Sequence, residues 1–185
     1  MIEVRSLCDV ALLAGREILR VYSTDFDIMI KADRSPVTVA DIAAEGIILE
    51  ALRAMHPDIP VIAEEAVSEG NVPNIGDTFF LVDPLDGSKE FVSRNGEFTV
   101  NIALVRAGVP VLGVVHAPAL GKLWWGAQGQ GSYCTEVVDG VPGPITAIGV
   151  REAPRGLRAV GSRSHGSGAG DERLSRLPIA DYVSA

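Results

Sequence analysis

The chain has 185 residues, with 16 Lys+Arg against 24 Asp+Glu for a formal net charge of −8. Its 47% hydrophobic and 22% charged content is globular and excludes a disordered chain. Its length admits one large domain or two small ones, with no need of a disulfide or metal staple. The acidic balance excludes a nonspecific binder of nucleic acid or membrane, which needs a basic field. An acidic protein that acts on an anionic substrate must bring metal ions to it.

Residues 3–22 predict an amphipathic helix, because Val4, Leu7, Cys8, Ala11, Leu12, Ile18, Leu19 and Tyr22 fall near a 3.6-residue period. The segment SPVTVAD at 35–41 predicts the start of a second helix. Pro36 pushes Ser35 toward extended geometry, and Thr38 caps the orphan amides with Asp41 three residues on. That helix is expected to reach Met55, with Ile48, Leu49 and Leu52 inward, and HPDIP at 56–60 ends it. Short apolar runs at 59–63 and 79–82 predict strands. Longer β-rich segments at 97–106 and 109–117 are joined by Ala107-Gly108 as a tight hairpin. Residues 122–127 predict the next strand, the Gly-rich 128–143 a loop, 157–162 a further strand and 170–177 a short helix.

Helices first, then a meander of antiparallel strands, is the α+β signature. The Pro/Gly-rich 140–156 marks a boundary, which divides the chain into an N-terminal α+β domain over 1–150 and the start of a second α/β domain over 151–185. The sequence stops at ADYVSA without a capping glycine or polar tail, as if a strand had begun and been cut, so a longer natural fold is expected. Cys8 and Cys134 form no CxxC or Cys/His cluster and read as buried thiols in a reducing compartment. Glu3, Arg5 and Asp9 interrupt the N-terminal apolar positions, unlike a secretory signal, and no run approaches the ~18 apolar residues of a transmembrane helix. The expected location is cytoplasmic.

The main chemical signal is LVDPLDGSKEF, residues 81–91. A buried-type strand delivers Asp83 at its end, and Pro84, unable to continue a ladder, bends the chain away. Asp86 returns a carboxylate to the same side. Gly87 permits positive φ or close backbone approach. Ser88 opens a helical turn over 88–92, where free N–H groups favour an anion. Two hard carboxylates beside a phosphate cradle are what a divalent metal and a phosphate ester require. The same motif alone also reads as a strand-to-helix turn whose Asp side chains only cap. Glu64-Glu65 follows the strand-like IPVIA. Adjacent acids at a strand end point to opposite faces, so one faces a metal while the other faces solvent or a basic partner. Alone, that pair reads as a solvated turn, and Asp41 reads as a cap.

Taken together, the three pieces resemble the lithium-sensitive, magnesium-dependent phosphatase superfamily that includes inositol monophosphatase and fructose-1,6-bisphosphatase. Its fingerprint is a Glu-Glu pair followed by Asp-Pro-x-Asp-Gly-Ser/Thr, matched by Glu64-Glu65 and by Asp83, Pro84, Leu85, Asp86, Gly87 and Ser88. The stretches 31–45, 81–105, 111–118 and 162–165 resemble its bacterial CysQ branch, the 3′(2′),5′-bisphosphate nucleotidases. The resemblance implies a layered αβαβα sandwich and a Mg2+-dependent phosphomonoesterase that converts 3′-phosphoadenosine 5′-phosphate to AMP and phosphate. It implies that Glu64, Asp83 and the Leu85 carbonyl hold one Mg2+ and that Asp83 and Asp86 hold a second, with two or three ions in a complete enzyme. The N–H groups of Gly87 and Ser88 take phosphate oxygens, and Glu64, Leu85 and Asp86 also line the substrate. Asp41 and Ser88, with Glu64, carry catalysis. Ser88 stands where threonine is commoner and keeps the hydroxyl. The implied partners are a small phosphorylated nucleotide and a second copy of the chain, with no nucleic-acid polymer and no transmembrane segment. The implied location is cytoplasmic, at the inner-membrane face in some members.

The family also carries a Trp-Asp-x-Ala-(Ala/Ser)-Gly segment whose Asp completes the second metal site. Here Trp124-Trp125 is followed by Gly126 and no Asp, so that segment is absent and the chain reads as C-terminally truncated. Residues 89–91 and 95–98 resemble the nucleotidases more than inositol monophosphatase, which is the alternative enzyme reading. A noncatalytic fragment is the alternative of another class. The run 161–170 lacks the nucleophile elbow of a serine hydrolase. His56, His116 and His165 lack metal-ligand spacing and read as structural or exposed. Gly126, Gly129 and Gly131 lack βαβ context and fit a hairpin.

Overall fold

A computed structural model describes residues 2–30, 36–154, 156–161 and 176–184. In chain order the elements are α1 (Val4–Tyr22), β1 (Ile28–Ile30), β2 (Pro36–Thr38), α2 (Val39–Met55), β3 (Val61–Ala63), α3 (Glu64–Ser68) and β4 (Thr78–Asp86). They continue as α4 (Ser88–Val92), β5 (Thr99–Arg106), β6 (Val109–Ala117), β7 (Lys122–Ala127), β8 (Gly131–Val138), β9 (Val141–Pro142) and β10 (Thr146–Ile148). Last come β11 (Leu157–Gly161) and β12 (Ile179–Ser184). The chain forms two compact units, Met1–Ile148 and Gly149–Ala185. The first is a helix layer on an open sheet of order β10-β8-β7-β6-β5-β4-β3, with β9 paired to β8 and β1 paired separately to β2. The pairs along that sheet are antiparallel, except that β3 runs parallel to β4. In the second unit β11 and β12 form a parallel pair.

The core forms where two sequence periods meet. Along α1, Leu7, Ala11, Ala14 and Ile18 are fully buried on one stripe. Along β5, Val100, Ile102 and Leu104 alternate inward, joined by Phe80 and Val82 of β4, Val114 of β6 and Leu123 of β7. Each large apolar side chain so removed from water contributes about 1.5–3 kcal/mol, and the sum opposes the entropy of ordering the chain. The helix layer lies close to the sheet at Gly15, where a Cβ would stand 2.4 Å from the His116 ring. The His116 Nδ1–H donates to the Ala11 carbonyl at 3.1 Å.

A cluster of aromatic rings joins the end of α1 to α4. Phe91 packs against Tyr22, Phe26 and Phe98 at centroid separations of 5.0, 4.8 and 5.2 Å. The Arg94 guanidinium lies over Tyr22 and Phe26 and donates to the Tyr22 and Thr24 carbonyls, which closes the C-terminus of α1. Among the described residues no helix is long and apolar enough to cross a membrane.

Several sequence expectations are corrected. The span 128–143 carries β8 and β9 rather than a loop; Tyr133–Val138 is β-rich, and the positive-φ residues Gly129 and Gly131 build the turn that lets β8 fold back on β7. Pro84 does not leave the sheet: β4 continues to Asp86 through a bulge, with Asp83 opposite Asn101 and Asp86 opposite Thr99. A bulged residue needs no ladder N–H, which is why proline is tolerated there. Residues 59 and 60 lie outside β3, and the β1–β2 pair was not anticipated. Cys8 is buried, but Cys134 is only half-buried. The SRSH stretch at 162–165 lies outside the described residues, as does the expected 170–177 helix apart from 176 and 177.

Candidate active site

Four element ends meet at one edge of the first unit: the starts of α2, α3 and α4 and the end of β4. Thr38 is the N-cap of α2, and its hydroxyl accepts from the Ala40 N–H at 3.1 Å. Asp41 closes the capping box. Its Oδ2 accepts from both the N–H and the hydroxyl of Thr38, each at 2.7 Å. Its other oxygen is not spent on the cap: Oδ1 lies 3.0 Å from the Ser88 hydroxyl, 47 residues away in sequence. The same hydroxyl lies 3.2 Å from the Leu85 carbonyl. One hydroxyl proton therefore has two acceptors, both held by backbone that is itself fixed. Asp41 is 1% exposed, so this pair sits at the buried end of the site.

Ser88 is placed by the β4 bulge and by Gly87. Gly87 has φ 95°, and a Cβ there would come within 2.9 Å of the Glu97 carbonyl. Any other residue meets both strain and collision. Gly87 is thereby the N-cap of α4, whose first N–H groups have no intrahelical acceptor.

The carboxylates occupy the other half. Asp83 is hydrogen-bonded to the Glu64 side chain and to the Leu85 backbone. Its Oδ1 is buried and has no hydrogen-bond partner among the described residues. Burial first, then the charges of Glu64 and Asp86 and the hydrogen bond to Glu64, push its carboxyl up to about 7, opposed by the Leu85 amide. Asp86 is exposed on the bulge, where Asn101 Nδ2 donates to its Oδ2 at 3.3 Å and Thr99 in turn donates to Asn101 Oδ1 at 3.2 Å. Asn101 and Thr99 were not anticipated. The pattern of β5 shows them facing away from the core, but only the register against the bulge brings them to Asp86.

Glu64-Glu65 follows the end of β3 directly, as expected, but does not continue its alternating geometry. β3 stops at Ala63, and the two acids begin α3, so helical rather than alternating geometry separates them. Glu64 is exposed and meets Asp83, while Glu65 is buried. The α3 N-terminus is held by Glu45 of α2, which accepts from the Glu65 and Ala66 N–H groups at 2.9 Å each. The structure thus brings Asp41, Leu85 and Ser88 together directly and sets Glu64 on Asp83 with Asp86 within electrostatic reach.

Among the described residues, no three His, Cys, Asp or Glu side chains form a group that could by itself hold a metal ion. The donor set still suits a hard divalent cation. An orphaned, partly desolvated carboxylate oxygen between two other carboxylates is stabilised by positive charge, and Mg2+ keeps waters and phosphate oxygens among its ligands rather than demanding an all-protein cage.

Comparison with known proteins shows the family. The model of the inositol monophosphatase family matches residues 3–172. The 3′(2′),5′-bisphosphate nucleotidase CysQ of Shigella flexneri is 44% identical over 173 residues, which cover 92% of this chain and 68% of that protein. The protein of the same name from Salmonella typhimurium strain LT2 is 44% identical over 176 residues, covering 94% and 69%. The crystal structure of CysQ from Bacteroides thetaiotaomicron, a bacterial member of the inositol monophosphatase family, superposes with a TM-score of 0.76 at 34% identity. That match covers 98% of this chain and 72% of that one.

Proposed function

From the chain's membership of the inositol monophosphatase family, we propose that it is a Mg2+-dependent 3′(2′),5′-bisphosphate nucleotidase, a phosphoric monoester hydrolase that converts 3′-phosphoadenosine 5′-phosphate to AMP and phosphate. The observation that carries the reading is the pairing of a preformed hydroxyl–carboxylate dyad, Ser88 to Asp41 at 3.0 Å, with the unsatisfied Asp83 oxygen beside Glu64 and Asp86.

In this reading Glu64, Asp83 and the Leu85 carbonyl would hold one Mg2+, and Asp83 and Asp86 a second, with two or three ions in the full complement. When bound, the metals neutralise phosphate charge and make a coordinated water more acidic. The remaining work falls to the chain. With its proton committed to Asp41 Oδ1, the Ser88 hydroxyl presents lone pairs to the attacking water. It takes the water's proton as its own passes to Asp41, leaving a hydroxide aimed at phosphorus. The N–H groups of Gly87 and Ser88 hold phosphate oxygens at the α4 N-terminus, and Gly87 lets the backbone approach that closely. Asn101 keeps the Asp86 carboxylate turned to the site. Phosphoryl transfer needs little else from a protein beyond such positioning and charge.

All of these groups lie in the first of two domains that we read as 1–150 and 151–185. The substrate is a small phosphorylated nucleotide, and a cytoplasmic location belongs to the same reading. Homodimerisation is tested by sedimentation. The function is tested by phosphate release from 3′-phosphoadenosine 5′-phosphate and from inositol 1-phosphate, side by side, with and without Mg2+. Metal-dependent turnover that favours the nucleotide is the expected result. Preference for the inositol phosphate would move the chain to the sugar-phosphatase reading, and silence on both would favour the noncatalytic-fragment reading, since these 185 residues lack the family's Trp-Asp segment.

A further inference from the structure

Asp41 and Glu45 stand four residues apart on α2, one helical turn, and so share a face. Both carboxylates are buried, at 1% and 6% exposure. Each reaches a different corner of the site. Asp41 meets Ser88 at the start of α4, and Glu45 accepts from two successive N–H groups, Glu65 and Ala66, at the start of α3. Those amides belong to the first turn of a helix and have no intrahelical acceptor.

We infer that Glu45 is a positioning residue for the metal site: it clamps the first turn of α3 so that Glu64, the residue immediately before the clamped amides, stays directed at Asp83. The proposal rests on the phosphatase reading and deepens it. A buried carboxylate is costly unless it is hydrogen-bonded, and here two charge-assisted bonds stabilise it. α3 is only five residues long and its N-cap, Ala63, offers no side-chain cap, so little within α3 itself fixes its first turn. The rigid helix α2 supplies what α3 lacks, and sets the spacing between the corner that holds Ser88 and the corner that holds Glu64. Side chains that orient metal ligands typically govern affinity by 10- to 100-fold.

The test compares the full chain with Glu45→Gln and Glu45→Asp, well below their unfolding temperatures. Gln keeps the shape but turns one acceptor into a donor that faces an N–H. Mg2+ binding, measured by calorimetry without nucleotide, should weaken about tenfold or more in Glu45→Gln. In metal-free protein the Glu65 and Ala66 amides should exchange faster, and KM for the nucleotide at saturating Mg2+ should hold. Glu45→Asp, which keeps the charge with a shorter reach, should fall between and keeps the test open where the Gln protein does not fold. Ser88→Ala, at the other corner, should leave Mg2+ affinity unchanged. A merely structural role for Glu45 would lower the unfolding temperature of both variants and leave Mg2+ affinity as it was, which overturns the proposal. A wild-type chain that binds no Mg2+ overturns the metal site and the clamp together. Wild-type binding that the variants share overturns the clamp alone.

Discussion

Among the described residues two buried side-chain atoms lack a hydrogen-bond partner, Asp83 Oδ1 and His116 Nε2, and they lie in regions of opposite character. Asp83 sits near the C-terminal end of β4 among other carboxylates, where burial and like charge both favour a proton or a cation. His116 sits under α1 in the apolar layer, and burial holds its ring below the ordinary imidazole range, against the Ala11 carbonyl, which raises it. At Asp83 the missing partner has the character of a ligand. At His116 the ring is neutral packing, and the charged form is what the fold rejects. An orphaned polar atom thus points to function only where its neighbours share an unmet electrostatic need.

The contrast is broken most strongly at Asp83. In a complete enzyme Asp83→Asn should remove nearly all turnover, more than the roughly 10²–10⁴-fold that loss of a general base costs. Calorimetry should show weakened Mg2+ binding. In chelator, however, the variant should unfold at the same temperature as the wild type or above it, because the repulsion from Glu64 and Asp86 is relieved. Unchanged metal affinity and turnover would remove Asp83 from the site.

Ser88→Ala should slow turnover by about 10²–10⁴-fold without weakening Mg2+, since it removes the water-orienting hydroxyl and leaves the carboxylates in place. Ser88→Thr should be nearly neutral. A threonine variant as slow as the alanine one would show that fit in the bulge, rather than the hydroxyl, limits the rate.

Lithium should inhibit severalfold at low Mg2+ and be relieved by adding Mg2+. It would compete at the exposed Asp86 side of the site, where fewer buried groups hold a cation. Inhibition that Mg2+ does not relieve would place lithium elsewhere.

At His116 the effect is smaller and concerns stability. The folded state holds the ring below its unfolded value of about 6.5, so at lower pH the unfolded chain binds the extra proton and folding weakens. The contribution is whole above about 6.5 and is lost as pH falls through the folded value. The unfolding temperature should drop between pH 7 and pH 5 more steeply for the wild type than for His116→Asn, which keeps a donor for the Ala11 carbonyl but does not titrate. Equal slopes would show that His116 is not the group responsible.

The smallest change is at Gly15, whose missing Cβ leaves room for the same ring. Gly15→Ala should cost about 1–3 kcal/mol, the usual penalty for overpacking, with Mg2+ affinity unchanged.

Much of the fold was legible because the local signals were strong and agreed. The α1 stripe, the Thr38–Asp41 capping box and the Ala107-Gly108 hairpin each follow from residues adjacent in sequence, and each is present. Pro84 misled because the rule against proline in a ladder has an exception at bulges, and a bulge depends on the register of the neighbouring strand. The hairpin read from Gly126, Gly129 and Gly131 is present as the β7–β8 turn, but the length of β8 beyond it was missed, because pairing with β7 supplies the stability that propensity does not show. Glu64-Glu65 stands directly after a strand ending at Ala63, as expected; what nothing local marks is that the chain turns at once into a short helix.

The sequence by itself determined which chemical groups the site contains, because Asp83, Asp86, Gly87 and Ser88 are fixed relative to one another by a few bonds of backbone and by the φ that Gly87 alone permits. Tertiary structure alone decided which groups those residues meet. That Asp41 spends one oxygen on its own cap and the other on Ser88, that Asn101 steadies Asp86, and that Glu45 holds the turn carrying Glu64 are contacts across 15 to 47 residues of chain. Such contacts follow from strand register and helix docking, which sum many weak burial energies over the whole first unit. No short stretch of sequence contains that sum.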